Sequence, residues 1–382
     1  MHAAVFRGPN RITIEEVKFP SYSYYYNKED NKEVVLKVNA CGVCAYDLRV
    51  YRNGHPKVIP PVILGHEICG EFNKTITTTT ISNMNTISSS NNSSNNSSTR
   101  VVVSPAVPCL NCYYCNNKQY NLCTNLKEIG SSINGGFAEY VKVPKEILQI
   151  GGLVPIPDNL SDEEATLLEP LACCLNGFSH MGISTDMHIV TKKERAFSVV
   201  ILGDGPIGLL HLQLSKLLLP YAKTVVVGKV PARIQKAKSL GADAVIVAAN
   251  NNDNDVKITT DEVFQATNGI GANLAVVATS NPAALDLALK VASKNSKINI
   301  FAGMPKGTKI SLDSNWLHYN QIAITGSFSS TPAMLHGAAR LAVNREVDLS
   351  KIITHQYSLD NIEEALLATE KYYGLRVVIN KF

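Results

Sequence analysis

The stretch AFSVVILGDGPIGLLHL, residues 196–212, limits what this chain can fold into more than any other. It sets Gly203, Gly205 and Gly208 in the spacing G-x-G-x-x-G, with Pro206 and Ile207 between the last two, directly after an apolar run and at the head of a helical pattern. Alone such a match says little; between a strand and a helix it is a strong signal for a dinucleotide site. The glycines let the backbone turn tightly and approach a diphosphate, whose charge rests at the helix N-terminus. On either side the same texture continues: TVVVG, a helical ARIQKAKSLG, then ADAVIV, LAVVAT and KINIFAG. Strand and helix in alternation predict an α/β fold with a doubly wound parallel sheet.

The earlier part of the chain reads differently. Residues 1–72 and 100–150 carry short β-like runs, among them EVVLKVNA, RVVVSPAV and FAEYVKVP, broken by Gly, Pro and Asn. A length of 382 residues suits two domains, one β-rich and one α/β. Between two of the β runs lies residues 73–99, a Ser/Thr/Asn-rich low-complexity insertion too poor in large apolar residues for a core. Surface loops accept such length at little cost, so an insertion without function is the expectation. The tyrosine-rich SYSYYYN at 21–27 reads as a second loop expansion.

Charge excludes some partners. Charged residues are 18% of the chain and the net charge is +4, with the basic residues scattered, so a nucleic-acid footprint is missing. No stretch approaches the roughly 20 apolar residues of a membrane span, and the first residues alternate like a strand where a signal peptide needs an apolar run. A cytoplasmic location is expected, without nucleic acid or membrane as partner.

Nine cysteines occur, four of them in CLNCYYCNNKQYNLC. Cys109, Cys112, Cys115 and Cys123 follow C-x2-C-x2-C-x7-C, which brings four soft ligands together within one short loop, as a tetrahedral zinc site requires. The rival, an iron–sulfur cluster, calls for a proline after the last cysteine and a partner run, and both are missing. Four sulfurs leave no open position, so the role is structural. A second set is more dispersed. CGVCAYD at 41–47, GHEICGEF at 65–72 and LLEPLACCLNG at 167–177 offer a thiolate, an imidazole and carboxylates, the mixture an open catalytic zinc uses.

With these motifs in this order, the chain resembles the zinc-dependent medium-chain dehydrogenases of the alcohol dehydrogenase family, and within them the sorbitol and sugar-alcohol branch. GGFAEYVKVP, SLGAD, LHYNQIAITGSFSSTP and DLSKIITHQYSLDNIEEAL add to the likeness, which leaves out only 73–99. The resemblance implies a GroES-like catalytic domain over 1–170, a Rossmann domain over 171–325, and a C-terminal segment, 326–382, that returns to the catalytic domain. It implies two zinc ions per chain. The catalytic one would be held by Cys44, His66 and the acidic Glu67 or Glu169, with Asp47 orienting the histidine. Cys41, Cys69, Cys173 and Cys174 are expected as inert packing.

Two residues depart from the family pattern. Tyr46 stands where a Ser or Thr relays the hydroxyl proton, and Arg49 where a histidine passes it to solvent. Either the Tyr46 phenol carries the proton, its pKa lowered from about 10, or it shapes the pocket while a carboxylate and water move the proton.

At the end of TVVVG, Gly228 occupies the place of the acidic residue that grips the ribose in NAD sites, followed by Lys229 and then Arg233. Two cations without a carboxylate favour NADP over NAD. By resemblance, Arg376 touches the cofactor phosphates. The expected activity is hydride transfer between NAD(P) and the CH–OH or C=O group of a polyol, sugar or other secondary alcohol, with zinc polarising the oxygen. Amino-alcohol oxidation, as in threonine dehydrogenases, is the nearest enzymatic alternative. A zinc- and nucleotide-binding sensor without catalysis is the alternative from another class. A homo-oligomer, dimer or tetramer, is implied, with KGTKISLD at 306–313 as a candidate pairing strand.

Overall fold

The structure is a computed structural model, and it describes residues 1–20, 34–73, 98–183, 197–248, 253–371 and 374–382. The tyrosine-rich segment and nearly all of the 73–99 insertion lie outside the described residues. The chain divides into two compact units, Met1–Ala172 with Ser330–Phe382, and Cys173–Ser329.

The first unit is built on a seven-stranded sheet in which Val34–Val43 is the central strand. It pairs antiparallel with Glu67–Asn73, with Tyr140–Val143 and with the C-terminal Arg376–Lys381. Its burial explains its length: every residue of VVLKVNACGV except Lys37 and Asn39 is buried, so the strand reads as an apolar run rather than an alternation. The helix Ala45–Asn53 leaves its end at once. Cys44 is the N-cap, and Asp47 at the third helical position accepts the Cys44 backbone N–H at 2.9 Å, so one residue both starts the helix and caps it. A core of Phe6, Leu36, Leu64, Ile68, Phe137 and their neighbours backs this sheet.

The second unit has the expected all-parallel sheet. Its six strands run Ala244–Val247, Lys223–Gly228, Ser198–Leu202, Ala272–Val277, Ala292–Ile300 and Ala323–Gly326 across the sheet. Strand order reverses on either side of Ser198–Leu202, the place where open α/β sheets bind ligands at their carboxyl ends. Residues 306–313 form a turn and irregular chain, not a strand, because they find no ladder partner within the single chain. Ile310 and Leu312 there are exposed. Among the described residues no helix is long and apolar enough to cross a membrane.

Candidate active site and cofactor loop

Cys44, at the junction of strand Val34–Val43 and its helix, and His66 and Glu67, at the start of strand Glu67–Asn73, come together. One ligand atom from each lies within 4.8 Å of the others. Asp47 links them, since its Oδ2 receives the Cys44 amide and its Oδ1 lies 3.4 Å from His66 Nδ1. That contact engages Nδ1 and leaves Nε2 as the imidazole nitrogen that a metal would use. Burial disfavours a charge on His66, but Asp47 and Cys44 outweigh it and raise its pKa well above the ordinary value. Burial likewise opposes the Cys44 thiolate, and His66 overcomes it and lowers the thiol's pKa. Glu169 is buried as well, yet it lies outside this set of three.

Glu67 is 1% exposed and forms an ion pair with Arg376, which is 4% exposed. Gly42 makes room for both, as a Cβ there would meet the Glu67 carboxylate and come within 3.0 Å of Arg376 Nη2. The resemblance implies a phosphate contact for Arg376; among the described residues its guanidinium meets the Glu67 carboxylate. Burial lowers its pKa, partly offset by Cys44, Asp47 and Cys41.

Tyr46 faces the same site. Its ring meets His66 edge-on at 5.7 Å and His55 at 5.5 Å, and its hydroxyl is 2.9 Å from Ser131 Oγ. Burial raises the phenol pKa, with Ser131 working against the rise, whereas a relay through its anion needs it lowered. Ser131 carried no sequence signal. It arrives on a loop whose Gly135 and Gly136 amides donate to Ile63 and Gly65 carbonyls at 2.8 Å, next to His66.

The cysteine lobe hangs from the short pair Ala106–Val107 and Lys127–Glu128. All four sulfurs, Cys109, Cys112, Cys115 and Cys123, lie within 4.8 Å of one another, the spacing of a tetrahedral thiolate site.

In the second unit Gly203 takes a φ of 129°, and a Cβ on Gly208 would strike the Gly203 carbonyl, so these two close the strand–helix turn. Gly205 caps the helix Pro206–Leu218, with Pro206 as its first residue. A Cβ on Gly205 would meet only Arg233 Nη1, at 3.9 Å, so open backbone faces outward there, as a pyrophosphate requires. Ile207 continues the first turn and its carbonyl accepts from His211 Nδ1. Gly228 ends its strand, followed by Lys229, and Arg233 is buried on helix Pro231–Ser239. Asp204, between the first two glycines, accepts the N–H groups of Lys229 and Val230. Nothing in the motif reading assigned this carboxylate a role.

Two family models match the chain: an alcohol dehydrogenase GroES-like domain over residues 30–158, and a zinc-binding dehydrogenase domain over residues 206–344. Sorbitol dehydrogenase of Bacillus subtilis (strain 168) is 30% identical, covering 96% of this chain and 92% of that protein. D-arabitol-phosphate dehydrogenase of Enterococcus avium is 28% identical over 91% of this chain and 89% of its own. Among solved structures, 2R,3R-butanediol dehydrogenase from Bacillus subtilis is 25% identical with a TM-score of 0.75, covering 100% of this chain and 99% of that one.

Proposed function

Because this chain belongs to the zinc-type alcohol dehydrogenase family, we propose that it transfers a hydride between a nicotinamide cofactor and the CH–OH or C=O carbon of a polyol, sugar or other secondary alcohol. The observation that carries this reading is the convergence of Cys44, His66 and Glu67 in a chain that also holds the glycine turn 203–208. Zinc supplies a Lewis acid there, and the nicotinamide supplies the hydride acceptor.

The chain's own residues do the rest. Cys44 and His66 provide a thiolate and an imidazole, and Asp47 fixes both by its two oxygens. Glu67, held by Arg376, is the nearby carboxylate that can enter or leave the ligand set, with Glu169 as the second candidate. Tyr46, tied to Ser131, stands edge-on to the His66 ring and lines the pocket beside it. The open amides of the glycine turn receive the pyrophosphate, and Arg233 stands beside that turn.

The finer assignments rest on chemistry. Four convergent thiols support a second, structural zinc at Cys109, Cys112, Cys115 and Cys123. Lys229 and Arg233 support NADP over NAD. Exposed Ile310 and Leu312 support a homo-oligomer, dimer or tetramer, formed through 306–313. A cytoplasmic setting agrees with four clustered, unbridged cysteines.

The test is steady-state cofactor reduction, followed by nicotinamide absorbance, across polyols, sugars, simple secondary alcohols and L-threonine with NAD and NADP. Turnover of a polyol or secondary alcohol, abolished by chelation, is expected. Preference for L-threonine would replace the substrate class, and no turnover by zinc-loaded protein would remove the enzymatic reading.

A further inference from the structure

An acidic side chain at the end of the second Rossmann strand accepts the adenosine ribose hydroxyls in NAD sites. Here that strand, Lys223–Gly228, ends in glycine, and a side chain added there would have to displace that of Asp204. A Cβ on Gly228 would lie 2.5 Å from both Cγ and Oδ2 of Asp204. The space is filled by a carboxylate that arrives from the glycine turn instead of from the strand. Asp204 is 8% exposed, and its Oδ2 accepts both the Lys229 and the Val230 amide at 2.7 Å.

We propose that Asp204 replaces the missing acidic residue and is the selectivity determinant that keeps NAD(H) usable in a site whose Lys229 and Arg233 draw a 2′-phosphate. The Lys229 and Val230 amides lead into helix Pro231–Ser239 and are donors an incoming phosphate oxygen would use. Asp204 already occupies them. A 2′-phosphate arriving at this strand end must compete with that carboxylate for the same donors and meets a like charge at short range. A ribose hydroxyl meets an acceptor instead. Both amides land on Oδ2, which leaves Oδ1 outside those two bonds. The same contacts explain why an aspartate can stand in a turn that otherwise asks for small residues: its side chain folds back over Gly228 and ties the turn to the next strand.

The proposal rests on nicotinamide cofactor binding at the glycine turn, but not on which cofactor the protein prefers. Its test is equilibrium binding of NADH and NADPH to the full chain, read by nicotinamide fluorescence, for the wild type, Asp204→Asn and Asp204→Ser. Asn keeps an oxygen for the two amides and removes the charge; Ser removes the charge with a small side chain should Asn fail to fold. Loss of the charge is expected to shift the affinity ratio toward NADPH by about tenfold or more, the scale of removing a like charge from a partly screened site. That shift supports the proposal even if the wild type prefers NADH, a result that would overturn only the NADP preference argued above. An unchanged ratio, equal weakening of both cofactors, or a shift toward NADH overturns the proposal. Failure of the folded wild type to bind either cofactor overturns it together with the dehydrogenase reading.

Discussion

The Tyr46 hydroxyl is held 2.9 Å from Ser131 Oγ, and we propose that this contact fixes the phenol as part of the pocket wall. Burial raises its pKa, so at neutral pH the group is a protonated hydrogen-bonding hydroxyl and the ring is a wall beside His66. Tyr46→Phe then removes one hydrogen bond, worth about 1 kcal/mol, and kcat/KM should fall by roughly fivefold with the alkaline side of its pH profile unmoved. Steady-state kinetics across pH check this. A loss of several orders of magnitude would return the proton to the phenol.

The ion pair between Glu67 and Arg376 is almost wholly withdrawn from water, so its two halves are not equivalent to surface charges. Removing one partner strands the other in a buried site, at a cost of about 3–5 kcal/mol. Arg376→Met should therefore lower the urea midpoint strongly, and Glu67→Gln with Arg376→Met should recover much of the loss. Equal losses in the single and double variants would mean that the pair is not coupled.

In the cysteine lobe, amide hydrogen bonds from Cys115 and Thr124 draw the Cys112 thiol down to about 5, while burial pushes Cys115 up to about 12. Four thiolates packed together repel one another unless a cation is bound, so metal affinity should weaken as pH falls and the thiols regain protons. Cys112→Ser should cost the protein one bound zinc and lower its melting temperature, measured by elemental analysis and calorimetry. Unchanged zinc content would remove the lobe from the metal inventory.

The fold was legible because its signals are local. An apolar run, three glycines at fixed spacing and a helical period lie within AFSVVILGDGPIGLLHL, and the cysteine lobe closes within fifteen residues. What the sequence hid depends on distant partners. Ser131 reaches Tyr46 only because the 128–136 loop is hydrogen-bonded to residues 63–65, and Arg376 meets Glu67 because the last strand pairs with Val34–Val43. A strand at 306–313 would need a neighbour from a second copy, and within one chain the segment is a turn and irregular backbone. Asp204 was visible in GDGPIG, but its carboxylate gains meaning only from the empty Cα of Gly228, 24 residues later.

His211 sits on helix Pro206–Leu218 at 0% exposure, between the rings of Phe178 at 5.6 Å and Phe301 at 4.7 Å. Its Nδ1 faces the Ile207 carbonyl at 2.9 Å, which makes Nδ1 the protonated nitrogen of a neutral ring, and Nε2 has no partner among the described residues. Burial pushes its pKa down to about 4. The unfolded chain takes up a proton near the ordinary value of about 6.5, before the native ring can, so stability is intact above that pH and declines as the pH falls toward 4. The slope is half its limit of about 1.4 kcal/mol per pH unit at pH 6.5 and approaches it below, so roughly 1.6 kcal/mol should be lost between pH 6.5 and pH 5 from this residue alone. His211→Leu replaces the ring with a group that does not titrate, and urea midpoints at the two pH values should differ less in the variant by about that amount. The comparison tolerates a change in overall stability, since each protein serves as its own reference. Equal pH dependence in both would show that the buried imidazole is not the source of acid sensitivity.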